Sequence, residues 1–278
     1  MRRVALLLSL LLLACSALAA APLTVDAVRF RNFGIASGLS QVTCRAILQD
    51  DQGFVWIGTQ DGLNRFDGYN FKVYYRDRSD PASLADSHVT ALAKADGGIV
   101  WIGTMAGGLN RLDTATDAIQ VYRHQPDNPG SLAADGVTAL LRDREGLLWI
   151  ATADGSLQTL AEDSDHFVRQ GPSDGTLGVI RAMVQTGDGR LWLGGSRGLW
   201  VRGPEGFRTL GDSVSAIGDI QALAAAADGS LWVGTTRQGL VQLAADGTLR
   251  AHLRADGADG ALPDDQIRSL LKTRSGEL

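Results

Sequence analysis

The sequence predicts an all-β fold, an incomplete β-propeller of four-stranded blades behind an N-terminal hydrophobic signal helix, from three observations. Five tryptophans, Trp56, Trp101, Trp149, Trp192 and Trp232, recur 45, 48, 43 and 40 residues apart. Each follows a glycine by three residues, namely Gly53, Gly98, Gly146, Gly189 and Gly229. A period of roughly 40–50 residues, filled by short apolar runs and turn residues, is the mark of a propeller array. The tract from Ile267 to Leu278 repeats the run-up to the tryptophan, with Gly276 in the glycine's place. The expectation is therefore a propeller over residues 35–278, with five units and the first strand and turn of a sixth.

Composition agrees. With 278 residues, 45% hydrophobic and 21% charged, 34 glycines and only 7 prolines, the chain can bury a substantial core and is not a disordered polymer. A formal net charge of −5, without clustered Lys and Arg, argues against a nucleic-acid partner.

Residues 1–20 predict a secretory signal. Arg2 and Arg3 precede the apolar run Val4 to Ala14, and Ala17-Leu18-Ala19 supplies an A-x-A cleavage pattern. An uncleaved anchor is the rival, since Val4 to Ala21 approaches the roughly 20 residues of a membrane helix. Lipidation at Cys15 is a third option, since Leu12-Leu13-Ala14-Cys15 resembles a lipoprotein signal, although leucine directly before Ala14 matches it poorly. After cleavage only Cys44 remains, so no intramolecular disulfide is available.

Within a unit, the tenth residue before each tryptophan is Ala46, Ala91, Ala139, Ala182, Ala222 or Ser269, and the ninth is Ile47, Leu92, Leu140, Met183, Leu223 or Leu270. This predicts an innermost strand with small residues at the crowded axis. Cys44 stands twelve residues before its tryptophan, where other units place Val89, Val137, Ile180, Ile220 and Ile267. It is expected to be a small buried hydrophobe. A glycine turn follows, where φ > 0 is needed. Then comes a second strand, as in Trp56-Ile-Gly-Thr59 and Trp232-Val-Gly-Thr235. A buried tryptophan covers roughly 200 Å², worth on the order of 5 kcal/mol before entropy. One per blade, packed on the next blade, would be the array's main adhesive. The third strand begins at Gly62-Leu-Asn-Arg-Phe-Asp67 and its near copy Gly108-Leu-Asn-Arg-Leu-Asp113, and outer strands are expected near 69–75, 118–122, 166–169, 206–210 and 248–253. Leu39, Leu84, Leu132 and Leu262 stand seventeen residues before the tryptophan position.

The pattern of leucine, Val or Ile, leucine, then D-x-x-G-x-x-W-[IV]-G-T and G-L resembles the two-component regulator propeller repeat of bacterial periplasmic sensor regions. The resemblance spans about residue 35 to 278. It implies a ligand-sensing, non-catalytic input module in the periplasm, with a further β domain, a membrane helix and a cytoplasmic histidine kinase or diguanylate cyclase as missing C-terminal modules, and a receptor dimer as the working unit. Two other classes remain open: a self-standing exported binding or scaffold propeller, and a propeller hydrolase or lyase. No Trp-Asp pair of the WD-repeat kind occurs.

No catalytic, cofactor or metal pattern is found. His88, His124, His166 and His252 are far apart and match no ligand spacing. The best binding candidates stand eleven residues before each tryptophan position: Arg45, Thr90, Thr138, Arg181, Gln221 and Arg268. If the inner strands line the axis, these six polar side chains form a ring at one mouth of the channel. Guanidinium forks there suit an anionic small molecule or an oligosaccharide. The alternative is that they are solvated strand ends or pair with loop acids such as Asp219.

Overall fold

The computed structural model describes residues 31–172, 176–203, 205–210, 217–257, 261–273 and 278. The expected signal at 1–20, with Cys15, and Gly276 lie outside the described residues. Gly34–Leu278 forms one compact unit.

Five four-stranded antiparallel sheets follow one another, each in simple meander order. Blade 1 comprises β1 (Cys44–Gln49), β2 (Val55–Thr59), β3 (Gly62–Phe66) and β4 (Phe71–Tyr74). Blade 2 comprises β5 (Val89–Ala95), β6 (Ile99–Thr104), β7 (Leu109–Asp113) and β8 (Ile119–Tyr122). Blade 3 comprises β9 (Val137–Arg142), β10 (Leu148–Thr152), β11 (Leu157–Leu160) and β12 (Val168–Gln170). Blade 4 comprises β13 (Ile180–Gln185), β14 (Leu191–Gly195), β15 (Gly198–Gly203) and β16 (Gly206–Thr209). Blade 5 comprises β17 (Ile220–Ala225), β18 (Leu231–Thr235), β19 (Leu240–Leu243) and β20 (Leu249–Leu253). The first strands pack in series, β1 on β5, β5 on β9, β9 on β13 and β13 on β17.

The tryptophans sit in the second strands and seal the seams, as the repeat implies. Trp56 clusters with Val89, Val100 and Ile102 of blade 2, Trp101 with Val137, Leu148 and Ile150 of blade 3, and Trp192 with Ile220, Leu231 and Val233 of blade 5. These three are 0%, 5% and 1% exposed, whereas Trp232 is only half-buried because no described blade covers it.

Each blade shares one irregularity invisible in the sequence. The β1–β2 ladder pairs Cys44 with Thr59 and then Ala46 with Gly58, leaving Arg45 as an extra residue, and the same bulge recurs at Thr90, Thr138, Arg181 and Gln221. A bulge turns the residues on its two sides to opposite faces of the sheet. The residue twelve before the tryptophan thereby faces the preceding blade, and the alanine ten before it faces the following one. A Cβ at Gly103 would lie 2.6 Å from Val137 Cγ1, and one at Gly234 would lie 2.7 Å from Ile267 Cγ2. The glycine of W-[IV]-G-T is therefore a socket for a branched side chain of the segment that follows the blade. The small residue ten before the tryptophan lies beside it, with Ala91 Cβ 3.4 Å from that position at Gly103. Close packing at the seam, in place of the expected narrowing at the axis, accounts for the alanines.

Two expectations are corrected. Cys44 is exposed, because no described blade precedes it to supply a glycine socket. The sixth unit's first strand is absent: residues 261–273 carry no strand, since a lone segment has no ladder partner. Ile267 nevertheless seats against Gly234, and its N–H donates to Thr235 O at 2.9 Å.

Candidate functional site

The bulge residues are where the sequence placed a ligand ring, and the fold uses several of them to join blades. Thr90 Oγ1 donates to Val137 O at 2.7 Å, and Thr138 Oγ1 donates to Ile180 O at 2.6 Å, each reaching the next first strand. Arg181 makes an ion pair with Asp219 ahead of blade 5. Gln221 Nε2 donates to Thr236 Oγ1 at 3.1 Å. Arg268 lies beyond the last strand and donates to Gln266 Oε1 at 3.0–3.1 Å, and Arg45 is exposed. The structure thus brings five of the six to equivalent bulges and commits Thr90, Thr138 and Arg181 to inter-blade bonds.

The opposite ends of the first strands hold residues not singled out from sequence. Seven residues before the tryptophans stand Lys94, Arg142, Gln185 and Ala225 in blades 2 to 5. Lys94 pairs with Asp51 in the turn of blade 1, and Arg142 pairs with Asp96 in the turn of blade 2 at 2.8 Å. At the next seam the cation is replaced by Gln185, whose Nε2 donates to Glu145 Oε2 at 3.2 Å while its Oε1 accepts from Arg144 N at 3.0 Å. Ala225 makes no such link. The signal was readable as a cation in one unit facing an acid in the turn of the unit before.

The tryptophan turns carry a second device. Asp50 Oδ2 accepts from Trp56 Nε1 at 2.8 Å, and Asp143 Oδ2 accepts from Trp149 Nε1 at 2.7 Å. Their other oxygens hold turn amides, Phe54 N at 2.9 Å and Leu147 N at 2.8 Å. The first D of D-x-x-G-x-x-W is therefore the indole's acceptor as well as a turn residue. Third strands carry a comparable clamp. Asn110 Oδ1 accepts from Ala85 N at 2.9 Å, and Gln158 Oε1 accepts from Ala133 N at 2.6 Å, tying the leucine-bearing loop to its blade. Trp200 takes this place in blade 4, and its buried Nε1 has no hydrogen-bond partner.

Two cavities open where the cation link is lost. One, of about 510 Å³, lies at the turn end of blades 3 and 4 and is lined by Asp143, Glu145, Trp149 and Gln185 together with Arg190, Arg202 and Arg208. The other, of about 520 Å³, lies beside Gln185, the alanines of β17 and Lys272. In the first, the guanidinium of Arg190 donates to Asp188 Oδ2 at 2.7 Å and holds that carboxyl far below the usual range. The amide of Gln185 lowers the pKa of Glu145. Arg202 lies over the Trp149 ring at 5.2 Å. Among the described residues no three His, Cys, Asp or Glu side chains converge as metal ligands, and no helix is long and apolar enough to cross a membrane.

The fold and its seams define a β-propeller of four-stranded blades. Two of its segments, residues 38–61 and 131–154 in blades 1 and 3, match the family model of the two-component regulator propeller. Over 56 residues the chain is 45% identical to Histidine kinase P4 of Formosa agariphila, a match covering 20% of this chain and 4% of that protein. A structure described as the extracellular domain of a hybrid two-component system of B. thetaiotaomicron aligns with TM-score 0.56 at 21% identity, covering 88% of this chain and 39% of that one. Virginiamycin B lyase from Staphylococcus aureus aligns with TM-score 0.57 at 15% identity, covering 74% of this chain and 68% of the lyase. At these identities the two structural likenesses speak for the fold alone.

Proposed function

We propose that the chain is the periplasmic, ligand-sensing propeller of a bacterial signal-transduction receptor, acting without catalysis in this segment. The observation that carries this reading is the two-component regulator propeller repeat in blades 1 and 3, supported by short identity to a histidine kinase. In this reading residues 1–20 export the chain, and a kinase or diguanylate cyclase in the same polypeptide supplies the output, working as a dimer. A small molecule or oligosaccharide engages the bulge residues Arg45, Thr90, Thr138, Arg181 and Gln221 together with Arg268 beyond the last strand. It acts by favouring one arrangement of propeller and output module over another, and the shift is limited by its differential affinity for the two.

Alkaline phosphatase fused after Leu278 tests export: whole-cell activity that depends on residues 1–20 is expected, and an inactive fusion overturns it. The gene tests the output. A kinase or cyclase in frame after the codon for Leu278 is expected; its absence leaves a self-standing binding propeller in place of the receptor.

A further inference from the structure

The seam between blades 3 and 4 departs from the rule set by the two seams before it. In those, a cation of the later blade crosses to an acid in the earlier blade's turn, Lys94 to Asp51 and Arg142 to Asp96. At this seam the position is neutral Gln185, and among the described residues none of the ion pairs joins blade 3 to blade 4. The charges have not disappeared. Blade 3 contributes Asp143 and Glu145 to the 510 Å³ cavity, and blade 4 contributes Arg202 and Arg208, beyond the Arg190–Asp188 pair that neutralises itself. The acids meet only neutral donors, Gln185 at Glu145 and the Trp149 indole at Asp143, and none of the ion pairs among the described residues joins them to Arg202, which lies over the Trp149 ring, or to Arg208. Its volume falls within the roughly 300–1,000 Å³ of small-molecule sites.

We infer that this cavity binds a small zwitterion, an amino acid or short peptide, whose carboxylate meets Arg202 and Arg208 and whose ammonium meets Asp143 and Glu145. A ligand with both charges completes the cross-seam pairing that the chain omits here. A simple anion would be repelled by the two carboxylates, and a simple cation by the two guanidinium groups. Asp143 already accepts from the Trp149 indole, so ligand charge beside that carboxylate reports directly on one indole N–H. The inference does not depend on the sensor proposal: the export and gene tests can fail while this site binds, and the reverse.

The test is nitrogen-15 NMR of the tryptophan indoles in the full chain, with the Trp149 signal assigned from the Trp149→Phe variant and glycylglycine as probe. Glycylglycine is expected to shift the Trp149 signal saturably. N-acetylglycylglycine and glycylglycine amide, each lacking one charge, should bind at least about tenfold more weakly, the usual scale for losing a charge-assisted pair. The double variant Arg202→Met, Arg208→Met and the single variant Glu145→Gln should weaken glycylglycine similarly. Arg250→Met, which removes an arginine paired with Asp228 in blade 5, should leave it unchanged. Thermal melts confirm that each variant folds, and Arg202→Lys should retain part of the affinity. The inference is overturned if glycylglycine gives no saturable shift. Equal binding of the acetylated peptide, with Glu145→Gln silent, also overturns it by making the site one for anions only.

Discussion

At the residue scale, the repeat's invariants are explained by what they touch. The glycine two residues after four of the five repeat tryptophans is a socket, so Gly103→Ala should destabilise by about 1–3 kcal/mol through overpacking against Val137. Adding Val137→Ala should recover part of that loss, and a double-mutant cycle of denaturant melts would expose the coupling. Blade 3 carries Ala151 at this position, within the same cluster as Ile180, so its seam has already accommodated the extra carbon. Tyr122 offers a pH test. Burial, then its bond to Asp165, pushes its hydroxyl up to about 12. Folding therefore favours the protonated phenol. That stability is fully present below the unfolded value of about 10 and is lost as pH rises from there through about 12. Chemical denaturation at stepped alkaline pH should show the fall, and Tyr122→Phe should flatten it.

At the element scale, the seam is the unit of stability. A first strand is tied forward at its bulge and backward at its other end, while tryptophan fills the space between. Trp149→Ala should cost about 3–5 kcal/mol. Trp232→Ala should cost less in the same thermal melts, because that ring is only partly buried. The exposed pairs matter less. Lys94–Asp51 lies at the surface, with side chains 45% and 72% exposed, and such pairs contribute about 0–1 kcal/mol. The blade 3–4 seam accordingly persists with Gln185 in the cation's place, hydrogen-bonded to Glu145 and to Arg144 N.

At the scale of the whole molecule, stability is a chain of nearest-neighbour seams, and the outermost faces are its weak places. Amide exchange should be slowest in β5, β9 and β13, which have first-strand neighbours on both sides. It should be fast over 268–273, where no ladder exists; strong protection there would contradict the structure. Cys44 tests the other face. It should react fully with a thiol reagent in the native chain, slowly at neutral pH and faster toward alkaline pH, because burial of part of the side chain raises its pKa. A native chain whose thiol stays inert would mean that a blade covers this face.

The sequence by itself located the five described blades, the strand order within a unit and the seam role of the tryptophans, because these follow from local periodicity and from residues that recur at fixed offsets. It also marked the bulge positions as polar without saying why. Tertiary structure alone decided that these positions are bulges, that W-x-G glycines are sockets, and that Cys44 has none. Each depends on which face of a sheet meets which neighbour, and a one-residue bulge reverses that face while leaving the sequence spacing unchanged. The unjoined charges between blades 3 and 4 belong to the same class. Gln185 is an ordinary polar residue in the sequence, and it gains meaning only from the two salt-bridged seams that precede it.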